Sequence, residues 1–321
     1  MKRAAGLVGL LAVVVVLSMC VGNQWIGPGE VYRAFADFSG SDTDRVVRYL
    51  RLPRTVAGLL VGAALGLSGA VMQGVTRNPL ADPGILGVNA GAAVAVVAAI
   101  GVFGVHSLTG YVWFALGGAL VATVVVYLIG GAAPVKLALA GAAISALLGS
   151  LTSVATLTDL STLNEYRFWV VGSLSLASGS VVAQAVPFVA VGTCLALVLG
   201  RSLNQLALGE DLARALGTRV LLVRVLAGLA VVVLAGTATA IAGPIGFLGL
   251  AVPHVARLLL GPDQRRILPL SMLLAPAVLL LADVVGRFVA RPAELQVGIV
   301  TAIVGAPLFI ALVRRRRTAA L

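Results

Sequence analysis

The chain has 321 residues, 60% of them hydrophobic and 11% charged, with 23 Lys and Arg against 12 Asp and Glu and a formal charge of +11. Mean hydropathy is +1.07, whereas a soluble domain carries about a quarter charged residues. Composition therefore excludes a soluble enzyme or binding module and predicts an all-α, polytopic membrane protein with residues 1–321 as a single transmembrane domain.

A membrane-crossing helix needs about 20 apolar residues, and apolar segments fall at 5–22, 54–75, 86–104, 110–130, 135–157, 181–200, 220–241, 245–260, 267–286 and 296–313. Ten spans put both termini on one side, where Lys2-Arg3 and Arg314 to Arg317 favour the cytoplasm. On that topology the inner side takes fifteen basic residues and four acids, so the whole charge of +11 lies there. The basic excess is then a topological signal, and a nucleic-acid partner is excluded.

The first span is read as an uncleaved anchor. Leu17-Ser18-Met19-Cys20 is similar to a lipoprotein cleavage site, but methionine stands where a small residue is usual. Cys20 and Cys194 fall within spans and are expected to be buried thiols rather than a disulfide. A polar outer loop containing Glu30, Asp37, Asp42 and Asp44 follows.

The second span opens with Arg51-Leu52-Pro53-Arg54 and places Gly58, Gly62 and Gly66 four apart, stripping one helix face to backbone so that another helix can approach. Pro79 and Pro83 then break the helix. The intervening polar segment carries Gln73, Asn78 and Asp82, and such backbone is tolerated near a bilayer only when buried in protein or lining a wet path. Gln73, Asn78, Pro79 and Leu80 are the candidates for the inner end of that path. A plain structural reading also fits: Asn78 caps a turn and Gln73 holds neighbouring helices together.

Spans three and four are built from Gly, Ala and Val, with His106 in the turn between them and no role assigned to it. Residues 161–175 are too polar to span and are expected to form a short outer helix, with Tyr166 and Trp169 at the interface. The cytoplasmic segment Arg201 to Arg219 spaces Leu203, Leu206, Leu208, Leu212 and Leu216 among charges, as two short helices broken at Gly209. That pattern suits a docking surface for a cytoplasmic partner better than a solvated loop. Arg54-x-x-Ala57-Gly58-Leu59 recurs as Arg224-x-x-Ala227-Gly228-Leu229. Five spans apart, such a repeat would be inverted in the membrane, though four matched residues also arise by chance in a chain this rich in Ala, Gly and Leu.

No catalytic constellation is present. His254 lacks a second ligand at helical spacing, so a structural histidine is expected and no metal site. No G-x-x-x-x-G-K-[ST] occurs, so ATP hydrolysis in the P-loop manner belongs to another chain. Acids fall in loops or at span ends, which counts against an ion-coupled secondary transporter. Asp283 stands one turn before Arg287, which neutralises it. An intramembrane lipid-processing enzyme would need paired acids or His-Ser groups that are absent.

RLPR, SGAVMQ, RNPLADPGILG, NAGA, LNQLALGEDLARALG, GPIGFLGLAVPHVAR and ELQVGIVTAIVGAPLF occur in the order seen in permease subunits of ABC importers for iron-siderophores, haem and vitamin B12. The chain resembles that family from about Trp25 to Val313. The resemblance implies an inverted pair, spans 2–5 against 7–10, and a short outer helix carrying Trp169-Val170-Val171-Gly172-Ser173-Leu174. It implies coupling to ATPase subunits through Leu208, Gly209, Glu210, Ala213, Leu216 and Gly217. Arg51, Arg54 and Arg287 would receive acidic residues of an external binding protein, and Gln73, Asn78, Pro79 and Leu80 would form the cytoplasmic gate. The hydroxyl residues many members place before span five are replaced here by Pro134 and Val135, so no second gate is assigned. Implied partners are a second permease, cytoplasmic ATPases, the binding protein and the cell-membrane bilayer. The implied cargo is a ferric siderophore, with haem or vitamin B12 as the alternative. Metal and chelate pass as cargo, so no cofactor is implied.

Overall fold

A computed structural model describes residues 2–131 and 134–318. The side chains of Lys2, Arg3 and Arg314 to Arg317, which carry part of the orientation argument, lie outside the described set, as does that of Pro134. Every regular element among the described residues is helical. In chain order they are α1 (Lys2–Cys20), α2 (Pro28–Ala36), α3 (Asp42–Arg45), a π turn (Val46–Arg51), α4 (Leu52–Thr76), a 3-10 turn (Pro83–Leu86), α5 (Val88–Gly101), α6 (Leu108–Gly130), α7 (Pro134–Thr158), α8 (Leu160–Val170), α9 (Gly179–Val198), α10 (Gly200–Ala207), α11 (Glu210–Ala215), α12 (Val220–Ala242), α13 (Leu248–Leu260), α14 (Gln264–Val289) and α15 (Val297–Thr318). Among the described residues, six apolar helices are long enough to cross a bilayer, and four shorter apolar ones accompany them. Together they account for the ten expected segments.

Two helices form the centre. α4 packs along α12, and each also reaches into the other half of the chain: α4 against α13 and α14, α12 against α5 and α6. α13 and α14 follow α12 as α5 and α6 follow α4, so each central helix packs on the two helices that succeed the other. The glycine stripe makes the close approach possible. A Cβ on Gly62 would lie 2.5 Å from Pro276 Cα, and one on Gly66 would lie 2.6 Å from the Ser271 carbonyl oxygen. Gly69 faces the Gly249 backbone at still shorter range. Between helices already surrounded by apolar matter, such backbone proximity supplies the attraction that exclusion of water supplies elsewhere.

α5 and α13 have 14 and 13 residues, or about 20 Å of rise at 1.5 Å per residue, short of a hydrocarbon layer of about 30 Å. The span expected over 245–260 therefore begins three residues late, at Leu248. Irregular backbone completes each path. α4 ends at Arg77, left-handed at φ 52°, and residues 78–87 return among the helices with Ala81, Pro83 and Leu86 buried. Asp82 caps the 3-10 turn through Gly84 N at 2.8 Å. The counterpart, Gly243 to Phe247, turns left-handed at Phe247 and buries Ile245. Each break is braced by the opposite central helix. Gln73 Nε2 donates to the Leu250 carbonyl at 3.1 Å, and Thr239 Oγ1 donates to Asn89 Oδ1 at 2.9 Å.

α7 is the least buried of the long helices. Leu147, Val154 and Leu157 on α7, with Ile303 and Val304 on α15, are exposed. Cys20 is buried, but Cys194 on α9 is exposed, correcting the expectation that both thiols are buried. The sequence placed Cys194 within a span but did not show which helix face it occupies.

Candidate functional site

Three polar regions carry the sequence-derived site residues. The first lies where α4 begins and α14 ends. Arg54 grips buried Asp283 bidentately, with Nη2 2.8 Å from Oδ1 and Nε 3.1 Å from Oδ2. Its Nη1 reaches Glu294 at 2.7 Å. Arg287 closes the other side of Asp283 at 3.0 Å, the expected pairing one helical turn apart. Asp283 is fully buried and Arg287 is 2% exposed, so the carboxylate must be satisfied from both sides to offset its desolvation.

The arginines have a second task. A helix C-terminus leaves carbonyls unpaired and partially negative, and cations there are favourable. Arg287 donates to the Ser18 and Val21 carbonyls, Arg51 to those of Met19, Cys20 and Gln24, and Arg291 to that of Gly22. The end of α1 is thus capped by three guanidinium groups from distant elements. Gly22 leaves room for this arrangement, since a Cβ there would lie 2.8 Å from an Arg51 nitrogen and push that guanidinium aside.

A cavity of about 620 Å³ opens beside the cluster, bordered by Arg51, Arg54, Arg287, Glu294, Asp42 and Tyr49. Sequence reasoning offers three guanidinium groups to an external partner. The structure brings all three to this cavity, but Arg51 and Arg287 are buried and engaged with backbone, and the Arg54 side chain is only 12% exposed. Glu294 and Arg291 were not singled out from sequence. The acid beginning the ELQVG motif was the available signal for Glu294, whereas carbonyl acceptors for arginine leave no mark in sequence.

The second region is the corner after α4. Asn78 Oδ1 accepts from Leu80 N at 2.9 Å, closing an Asx turn ahead of Pro79, and Leu80 is exposed. Gln73 is buried, donates to α13 carbonyls and accepts from Arg257 Nη2 at 3.2 Å. Both residues therefore perform the structural tasks open to them, and Gln73 lies at the junction of α4 with α13. His254 is buried on α13. His106 pairs with Glu165 Oε1 at 2.9 Å, tying the α5–α6 turn to α8.

The third region is α10–α11. Leu203 and Leu206 are buried beneath α10, and Ala213 is buried beneath α11. Gly209 separates the two helices at φ 107°, a value suited to glycine. Leu208, Leu212 and Leu216 remain exposed, and Gly217 turns left-handed at φ 81°. Glu210 is held by Arg224 and by Arg214, the latter at 3.1 Å. The Arg224 hydrogen bond and the arginine charges keep the Glu210 carboxyl below its ordinary range. Three apolar side chains facing outward from a well-anchored, charged platform offer a partner an apolar surface with a polar rim.

No group of three His, Cys, Asp or Glu among the described residues is arranged to hold a metal ion.

The FecCD transport family model matches residues 10–315. The ferric enterobactin transport system permease protein FepD of Escherichia coli (strain K12) is 45% identical over 97% of this chain and 94% of its own length. The cobalamin import system permease protein BtuC of Halobacterium salinarum is 42% identical over 94% of this chain and 82% of its own. Among solved structures, an inward-facing conformation of a metal-chelate type ABC transporter aligns with a TM-score of 0.88 at 32% identity, covering 98% of this chain and 99% of that one. A match running almost from end to end, on a fold of ten apolar helices, places this chain in the FecCD transport family as a membrane-spanning permease.

Proposed function

We propose that the chain is one of two permease subunits in a binding-protein-dependent ABC importer and carries a ferric siderophore into the cytoplasm. The observation that carries this reading is the end-to-end likeness to the ferric enterobactin permease. Both termini lie in the cytoplasm of a cell-membrane protein, with α10–α11 at the inner face and the Arg54–Asp283 cluster at the outer face. ATP is hydrolysed by separate chains that seat on Leu208, Gly209, Glu210, Ala213, Leu216 and Gly217. The exposed faces of α7 and α15 meet the second permease, and movement of the paired bundles alternates access to the path between them.

At the outer face the docking contact falls on Arg54. Buried Arg51 and Arg287 act chiefly through their field, which sets encounter rate and orientation and weakens with salt. Arg54→Gln, which keeps a hydrogen-bond donor to Asp283, should slow docking of the binding protein at low salt while sparing ATPase assembly, and unchanged docking would exclude this role. At the inner face, Gln73, Asn78, Pro79 and Leu80 form the gate. Asn78→Ala with Leu80→Ala should let reconstituted permease leak small polar solutes without ATP. A tight, transport-competent double mutant would reduce the corner to a turn.

Uptake of labelled ferric siderophores, haem and vitamin B12 by a deletion strain tests the cargo. Loss confined to ferric siderophore supports the reading. Loss confined to vitamin B12 favours the second reading, motivated by the cobalamin relative. Uptake that follows the proton gradient and persists without the ATPase would instead indicate an ion-coupled carrier.

A further inference from the structure

We infer that the hollow at the start of α12 binds the phosphate headgroup of an anionic phospholipid of the inner leaflet. The hollow has a volume of about 420 Å³ and is lined by Arg214, Thr218, Arg219, Val220, Leu221 and Arg224. Its acids do not neutralise it. Glu210 bridges Arg214 and Arg224, and Asp211 touches Arg214 alone. The Arg219 side chain makes no hydrogen bond or ion pair among the described residues and is exposed. Arg219 also occupies the N-cap of α12 without capping it, so the first-turn amides of that helix add to the positive field.

The character of the ligand follows from what continues beyond the hollow. Leu221, Val225 and Leu229 lie four apart on α12, and all are exposed. They form an apolar stripe leading from the arginines along the membrane-crossing direction. A free anion would gain nothing from that stripe, whereas a lipid whose chains lie on it holds its own headgroup beside the arginines. A singly charged headgroup attached to acyl chains matches both parts, its phosphate meeting Arg219 and its chains lying along the stripe. The competing occupant is the ATPase, because the exposed Leu216 lies nearby in sequence. The apolar stripe, however, runs along a membrane-crossing helix that a soluble chain does not cover.

The test uses the full chain in detergent, alone and with its ATPase, equilibrated with equal amounts of phosphatidylglycerol and phosphatidylcholine. Retained lipid is read by native mass spectrometry. Wild type should retain phosphatidylglycerol preferentially in both preparations. Arg219→Gln should cut the preference by about fivefold, the equivalent of about 1 kcal/mol for one arginine near an anionic surface, and Arg219→Lys should restore most of it. Arg266→Gln, with the same charge change beside Asp263 at the same end, should leave the preference intact. Excess inorganic phosphate should not displace the lipid. Equal losses in Arg219→Gln and Arg266→Gln would show diffuse attraction and overturn the site. Displacement by inorganic phosphate would make it a free-anion site. Retention by the chain alone but not by the ATPase complex would assign the hollow to the ATPase.

Discussion

The arginine cluster around Asp283 and the helix pair α10–α11 lie at opposite ends of α4 and α12, and each sets two acids among a larger number of arginines. Around Asp283 the charges turn inward: Arg54 and Arg287 share one buried carboxylate, and Arg51, Arg287 and Arg291 cap α1. The partners come from elements up to about 270 residues apart, as in the Arg287–Ser18 bond. On α10–α11 the ion pairs are mainly local and partly exposed, and the residues left without cover are leucines. Similar composition thus yields a brace in one place and an exposed apolar surface in the other. What differs is burial: desolvated arginines demand partners within the chain, whereas solvated ones leave neighbouring apolar groups available.

The largest break in that contrast should come from the buried acid. Asp283→Ala leaves Arg54 and Arg287 without their shared carboxylate at a desolvated site, a loss of about 3–5 kcal/mol. The variant should fail to accumulate as a monodisperse, detergent-stable protein, and wild-type melting behaviour would refute the bracing role. Next is Leu208→Asp with Leu216→Asp. Both positions are exposed, so the stability should stay within the range of surface substitutions, about ±0.5 kcal/mol, while co-purification of ATPase is lost. A smaller effect is expected from Glu294→Gln. It removes the exposed arm of the Arg54 pair, worth about 0–1 kcal/mol, and frees Arg54 Nη1 for an incoming carboxylate. Docking of the binding protein should become faster with stability nearly unchanged; slower docking would show that Glu294 orients Arg54 instead.

The smallest effect concerns pH at α11. The folded-state pKa of Glu210 is lowered from the ordinary value of 4.5, first by its hydrogen bond to Arg224. A carboxyl lowered on folding stabilises the fold above its unfolded pKa, and that contribution disappears as pH falls through the folded value. The melting difference between wild type and Glu210→Gln should therefore be present at pH 7, begin to shrink near the ordinary value of 4.5 and vanish once pH is below the lowered folded value. A difference that persisted in acid would show that Arg224 is not the source of the stabilisation.

Much of this architecture is legible in the sequence because bilayer thickness and small-residue spacing are one-dimensional signals. Gly58, Gly62 and Gly66 announce a close helix partner, and the break at Gly209 between leucine-bearing helices is equally visible. Identifying that partner as Ser271 to Pro276 requires three dimensions. The capping of α1 is hidden for a firmer reason: every chain has carbonyls at a helix end, and nothing in the residue types selects which arginine reaches them. Arg51 and Arg287 consequently read as outward-facing charges. The half-length of α13 was blurred because Pro244 and Ile245 extend the apolar run without extending the helix.

The approach of α14 to the glycine face of α4 also has a consequence for biogenesis. Gly62 leaves the ribosome 214 residues before Pro276, the residue that covers it. At about 5–20 residues per second, the stripe waits roughly ten to forty seconds for its partner. During that interval α4 is a membrane helix with an open backbone groove, and lipid or the insertion machinery must occupy it. Gly66→Leu should leave chains stalled before α14 as protease-sensitive as wild type, but should prevent the gain of resistance that wild type makes once residue 289 has emerged. Equal resistance of the two full-length chains would mean that the groove closes by another route.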